Sequence, residues 1–152
     1  MIFVDHNSNK FTTFWSLLIL TNISTLIRNL SHPLGNFFHP NVPRYLNYGG
    51  IGTVIGHEIT HGFDDQGKKT DFTGTLANWW NPDTNTNFQK RAQCIVFQYG
   101  NYTANQVNLT LNGIFTQGEN IADNGGIREA YLAYGIFKKY VRILNLALSK
   151  IS

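Results

Sequence analysis

Acidic residues are scarce in this chain. Nine Asp and Glu accompany twelve Lys and Arg, and charged residues make up 14% of the 152 positions. That is low for a soluble domain, and so thin a charged surface points to covering parts or partner domains. The net charge of +3 comes from the shortage of acids. Lys68-Lys69, Lys90-Arg91 and Lys138-Lys139 are isolated pairs on solvated faces. The electrostatic footprint of a nucleic-acid binder is missing. Cysteine is nearly absent too. Cys94 stands alone, which excludes a disulfide within the chain, and nothing around it marks an activated nucleophile.

Long apolar runs are also lacking. Residues 14–27, FWSLLILTNISTLI, start apolar but are interrupted by Thr, Asn and Ser. The stretch is too short and too polar for a membrane span. Neither a positive start nor a clear small-residue cleavage site marks a signal peptide. It reads as an amphiphilic segment, with a signal anchor as the alternative. Proline is rare, and Pro33, Pro40 and Pro43 gather in residues 31–47. Proline removes donors and restricts its neighbour, so that stretch reads as a loop. The length suits one domain able to bury a fair core.

What the chain does have is concentrated in residues 48–67, YGGIGTVIGHEITHGFDDQG. On a helix, His57 and His61 share one face and Glu58 lies one step around from His57. Two neutral imidazoles suit zinc, and a carboxylate beside them can take a proton from metal-bound water. This is the HExxH arrangement of zinc metallopeptidases. Ile51, Val54, Ile55 and Ile59 recur at helical spacing, predicting a core-facing helix from Tyr48 to Phe63. Gly49, Gly50, Gly52 and Gly56 are poor helix formers, so their number predicts close approach of a neighbouring backbone.

A tetrahedral zinc needs a third protein ligand. Glu119 is the candidate, in GENIAD, with Asp123 four residues on and on the same helical face. One carboxylate can hold the metal while the other accepts the second ring N–H of a ligand histidine. The bland alternative for Glu119 is a solvated acid at a helix start. Thr116 is the expected cap of that helix, which starts near Gln117 and puts Glu119 in its first turn.

Elsewhere the pattern is mainly helical. Asn81-Pro82-Asp83 should start a helix over 84–98 with Phe88, Ala92, Ile95, Val96 and Tyr99 as its apolar stripe. Residues 64–78 read as a turn-rich excursion, followed by Trp79 and Trp80, expected to pack beneath the metal helix. Val107, Leu109 and Leu111 alternate as in a short strand. Asn124-Gly125-Gly126 leaves open one continuous helix or two with a kink. Ile127, Ala130, Tyr134, Phe137 and Val141 are the expected buried face beyond it. His32 and His39 lack ligand partners at useful spacing and read as loop histidines.

The runs NYGGIGTVIGHEITHGFDDQG, NWW and GENIADNGGIREAYLAY together resemble the neprilysin and endothelin-converting-enzyme family of zinc metallopeptidases. The resemblance covers about residues 36–140 and implies a mainly α, zincin-like (thermolysin-like) catalytic subdomain, here incomplete. It divides the chain into an unmatched segment 1–35, a partial peptidase domain 36–142 and a divergent tail 143–152. It implies one Zn2+ per chain, held by His57, His61 and Glu119. It implies that Glu58 is the general base and that Asp123 orients one histidine. Asp64 or Asp65 would orient the other, with Asp64 preferred as the nearer. The implied substrates are short peptides, cut on the amino side of a hydrophobic residue, at the extracellular face of the plasma membrane or in secreted form. Asn22, Asn29, Asn101 and Asn108 head N-glycosylation triplets that matter on that route. In the family, the cysteine matching Cys94 is bridged to one near the C-terminus, so Cys94 is either a small buried thiol or the unpaired half of a lost disulfide.

The departures shape the functional expectation. The upstream Asn-Ala motif that binds substrate backbone, the downstream histidine and arginine, and the large helical domain have no counterpart here. The chain is therefore expected to be a truncated catalytic portion lacking N-terminal and C-terminal parts of a full-length peptidase. It either cleaves peptides weakly or is a catalytically incompetent zinc-binding fragment. A metal-free helical interaction domain is the remaining alternative.

Overall fold

The computed structural model describes residues 37–149. The amphiphilic segment 14–27, His32, Asn22, Asn29 and the expected boundary at residue 35 lie outside them. Four α-helices, a short 3-10 helix (Gly67–Lys69) and one small hairpin make up the regular structure of the described part: α1 (Arg44–Gly49), α2 (Ile51–His61), α3 (Pro82–Gly100), β1 (Thr103–Ala104), β2 (Leu109–Thr110) and α4 (Gln117–Leu148).

The loop expected over 31–47 gives way to α1 four residues before its predicted end. Pro43 is the reason: its fixed φ of −51° starts the helix and its missing N–H costs nothing there. The metal helix is shorter than Tyr48–Phe63. Gly50, at φ −87° and ψ −97°, breaks the chain between α1 and α2. At the other end Gly62 N–H closes α2 on Ile59 O and Thr60 O. Phe37 O accepts from Ile51 N at 2.8 Å, which ties the incoming strand of loop to the start of α2.

α2 lies along α4, the most extensive helix pairing among the described residues. The seam is built from small side chains. Ala122 and Ala130 of α4 are buried, as are Gly126 of α4 and Gly56 and Thr60 of α2. The close backbone approach expected from Gly49, Gly50, Gly52 and Gly56 is found in this seam at Gly56, against Gly126, and not at Gly49, which has open space around it. Ile51, Val54, Ile55 and Ile59 are half-buried beside it. The glycine pair 125–126 does not interrupt α4, which runs unbroken for 32 residues. The expected buried face needs one correction. Ile127 is 62% exposed and Val141 is also exposed, because the seam follows Ala122, Gly126, Ala130 and Tyr134 at four-residue intervals. Beyond it, Tyr48 packs on Tyr134 and Phe137, with ring centroids 5.4 and 5.9 Å away. The Arg44 guanidinium lies over Phe137, joining α1 to the same helix.

α3 starts as expected. Asn81 is its N-cap, accepting from Thr84 N at 2.7 Å, and Pro82 occupies the first turn. Ala92 is buried, and Phe88, Ile95, Val96 and Tyr99 are half-buried on the expected stripe. Trp80 packs edge-on against Phe88 of α3 and against Trp79. Trp79 donates to Thr70 O in the 64–78 excursion. Cys94 is exposed on α3, which removes the buried-thiol reading. Of the alternating Val107, Leu109 and Leu111, Leu109 alone lies in a two-residue antiparallel ladder, whose turn holds Asn108 at φ 51°. At the start of α4, Thr116 does not cap as expected. Its hydroxyl donates to Asn112 O and accepts from the Asn120 side-chain amide.

Candidate metal centre

Two helices deliver the ligand side chains. His57 and His61 stand one turn apart on α2, and Glu119 sits in the first turn of α4, as the spacing predicted. One ligand atom from each lies within 4.8 Å of the others. Nε2 of His57 and Nε2 of His61 are 2.9 Å apart. Glu119 Oε2 is 3.4 Å from the first and 3.5 Å from the second.

The opposite ring nitrogens are both occupied by carboxylates. Nδ1–H of His57 donates to Asp123 Oδ1 at 2.8 Å, and Nδ1–H of His61 donates to Asp64 Oδ2 at 2.7 Å. A proton held at each Nδ1 leaves each Nε2 with a lone pair and no hydrogen. Three acceptor atoms then converge with no donor between them, an arrangement that a cation stabilises. Zinc bonds of 2.0–2.1 Å at tetrahedral angles put ligand atoms about 3.3 Å apart. The three observed separations bracket that value. His57, His61 and Glu119 thus form a single site of a size and donor set fit for zinc, of the His-His-Glu kind found in thermolysin-like peptidases.

The carboxylates differ in support. Asp64 is buried, and its second oxygen accepts from Gln66 N at 2.8 Å and Gly67 N at 2.7 Å. It is thus fixed by backbone on one side and fixes His61 on the other. Sequence reasoning missed Gln66 and Gly67 as its holders; the turn composition after FDD was the available signal. Asp65 instead accepts from the Gln66 side chain. Asp123 and Glu119 are largely exposed, at 62% and 70% of their side chains. Glu58 is half-buried beside His57. Burial would lower the pKa of His61, but the Asp64 hydrogen bond and the charges of Glu119, Asp64 and Glu58 outweigh it and hold the imidazole above its usual range. That carboxylate field also favours a divalent cation. His39 lies outside the site, in an exposed loop where its Nδ1 accepts from Asn41 N. Among the described residues, no helix is long and apolar enough to cross a membrane.

Comparison with known proteins points to one family. Residues 23–145 match the profile of peptidase family M13. Neprilysin-2 of Drosophila melanogaster is 60% identical over 100 residues, covering 66% of this chain and 13% of that protein. Neprilysin-1 of Caenorhabditis elegans is 47% identical over 131 residues, covering 83% of this chain and 17% of that protein. Among solved structures, the zinc metalloprotease of Mycobacterium tuberculosis in complex with an inhibitor superimposes with a TM-score of 0.65 at 46% identity. That match covers 69% of this chain and 16% of that one. The chain therefore spans about a sixth or less of the length of these relatives.

Proposed function

The chain belongs to peptidase family M13, and from that premise we propose that it carries the zinc centre of a metalloendopeptidase acting on short peptides. One observation carries the reading: three lone-pair atoms from two helices converge, with both histidine tautomers fixed from behind. Zinc, when bound, supplies a Lewis acid that acidifies water and polarises a peptide carbonyl. The chain's own residues do the rest. His57, His61 and Glu119 would hold the ion. Asp123 and Asp64 hold the Nδ1 protons, which fixes each ring's orientation and turns its Nε2 lone pair toward the ion. Glu58 takes a proton from the attacking water and hands it to the leaving amine.

A second reading is favoured by the openness of the site. Most of the Glu119 side chain faces solvent. Electrostatic catalysis is strongest where water is excluded, and the described residues do not enclose this centre. On that reading the 152-residue chain binds zinc with little turnover by itself and acts within the remaining portions of a longer peptidase. The family resemblance supports placement on the extracellular face of the plasma membrane or in secreted form, as does the exposure of Asn101 and Asn108 at glycosylation triplets.

Elemental analysis of the purified chain is the first test. About one zinc per chain, lost in Glu119→Ala, is the expected result; no zinc in a folded chain refutes the metal reading. Peptide hydrolysis then separates the two functional readings. Hydrolysis abolished by Glu58→Gln supports the peptidase, and zinc without hydrolysis supports the binding portion.

A further inference from the structure

We infer that the glycines at the crossing of α2 and α4, Gly126 and Gly125 above all, are positioning residues for the metal ligands. This inference rests on the zinc reading above. A seam of small residues is by itself only packing. What distinguishes this one is the identity of the atoms it presses against.

A methyl group at Gly126 would lie 2.5 Å from Thr53 O, 2.6 Å from His57 N and 3.1 Å from His57 Cα. Thr53 O and His57 N–H stand one helical turn apart, as acceptor and donor of the α2 ladder. The α4 backbone thus rests directly on the peptide group that carries a ligand histidine. Those neighbours are backbone atoms and cannot rotate away. From the other side, a methyl at Gly56 would meet Gly126 Cα at 2.8 Å and Gly126 O at 2.9 Å. Gly125 presses on Thr60, the residue before His61: a methyl there would collide with Thr60 Oγ1 and come within 2.7 Å of its Cγ2 and 3.0 Å of its Cβ. Thr60 is buried, with its hydroxyl donating to Gly56 O at 2.8 Å. Each ligand histidine is therefore registered against α4 at, or one residue from, its own backbone.

α4 also carries the opposing groups. Glu119, Asp123 and Gly126 follow one another at spacings of four and three, on one face. The crossing thereby sets the 2.8 Å contact between His57 and Asp123 and the 3.4 Å separation of His57 from Glu119. A side chain at Gly126 must lift α4 from α2 by a large fraction of an ångström, and metal ligation tolerates about 0.2 Å.

The same helix provides its own control. Gly135, also in α4, has nothing within 4 Å of an added methyl. The experiment measures zinc affinity of the full 152-residue chain by chelator competition, and the visible absorption of the chain loaded with Co2+, which reports four-coordinate geometry. Far-UV circular dichroism monitors folding. Gly135→Ala should leave affinity and spectrum unchanged. Gly126→Ala should weaken zinc about 10- to 100-fold, the range seen when ligand-orienting contacts are lost, and alter the cobalt spectrum. Gly125→Ala should do the same, and adding Thr60→Ala, which removes Oγ1 and Cγ2 and leaves only Cβ at 3.0 Å, should restore part of both. That paired variant decides the matter if Gly126→Ala does not fold. Glycine variants that fold and match Gly135→Ala in affinity and spectrum overturn the inference. So does a paired variant that regains helicity without regaining the metal signal. Absence of zinc from the unmodified chain would overturn the metal reading and this inference with it, whereas unchanged glycine variants overturn the inference alone.

Discussion

Asp123 and Asp64 do the same job for two histidines from unlike surroundings. Asp123 is largely exposed and makes its contact across helices. Asp64 is buried and also holds the backbone N–H groups of Gln66 and Gly67. Removing them should therefore give different results. Asp123→Ala should weaken zinc about 10- to 100-fold while the thermal midpoint of the zinc-free chain stays where it was. Asp64→Ala should weaken zinc as well and also cost about 1–3 kcal/mol of stability, because two backbone donors lose their partner. Chelator competition and denaturant titration, run on both variants, check the pair. The sequence put Asp64 and Asp65 side by side without a basis for choosing beyond nearness. The turn at Gln66–Gly67 makes the difference, since it draws in Asp64 and leaves Asp65 with the Gln66 side chain.

At the scale of the element, α3 was legible nearly residue by residue. Its cap, its proline and its stripe are local signals, and local signals survive folding. Asn81→Ala should cost about 1 kcal/mol, the usual worth of an N-cap, read as a drop in the denaturation midpoint with no change in zinc affinity, since α3 carries no ligand. α4 was harder to read. A glycine pair in mid-helix is a local argument for a break, worth up to about 1 kcal/mol per glycine. The helix persists because the pair faces Thr60 and His57 of α2, where any larger residue would separate the elements. The same crossing explains why Ile127 faces solvent. The seam needs small residues, so the conspicuous apolar residue next to Gly126 falls on the other side.

For the whole molecule, the feature that matters is how little large apolar surface the described residues bury. The buried apolar residues are Ala92, Ala122 and Ala130, while Phe115, Leu76 and Tyr131 are 87%, 81% and 76% exposed. A core of methyl groups contributes modestly at about 25 cal/mol per Å2 of apolar area. Zinc joining α2 to α4 should then weigh heavily in overall stability. At a hundredfold excess over its dissociation constant, zinc should stabilise the chain by about 2.7 kcal/mol. A raised melting temperature that EDTA reverses, absent in His57→Ala, is the expected observation. Equal melting temperatures with and without zinc would contradict it.

The sequence by itself determined the candidate metal-binding residues, the four-residue spacing of His57 with His61 and of Glu119 with Asp123, and the family to which the chain belongs. Those depend on helical periodicity and on residue chemistry, both of which are local. Tertiary structure alone decided which aspartate turns toward His61, that α4 continues through Gly125 and Gly126, and which face of α4 is buried. Each of these follows from one helix crossing another at a backbone contact, and no property of either helix alone specifies where that contact falls.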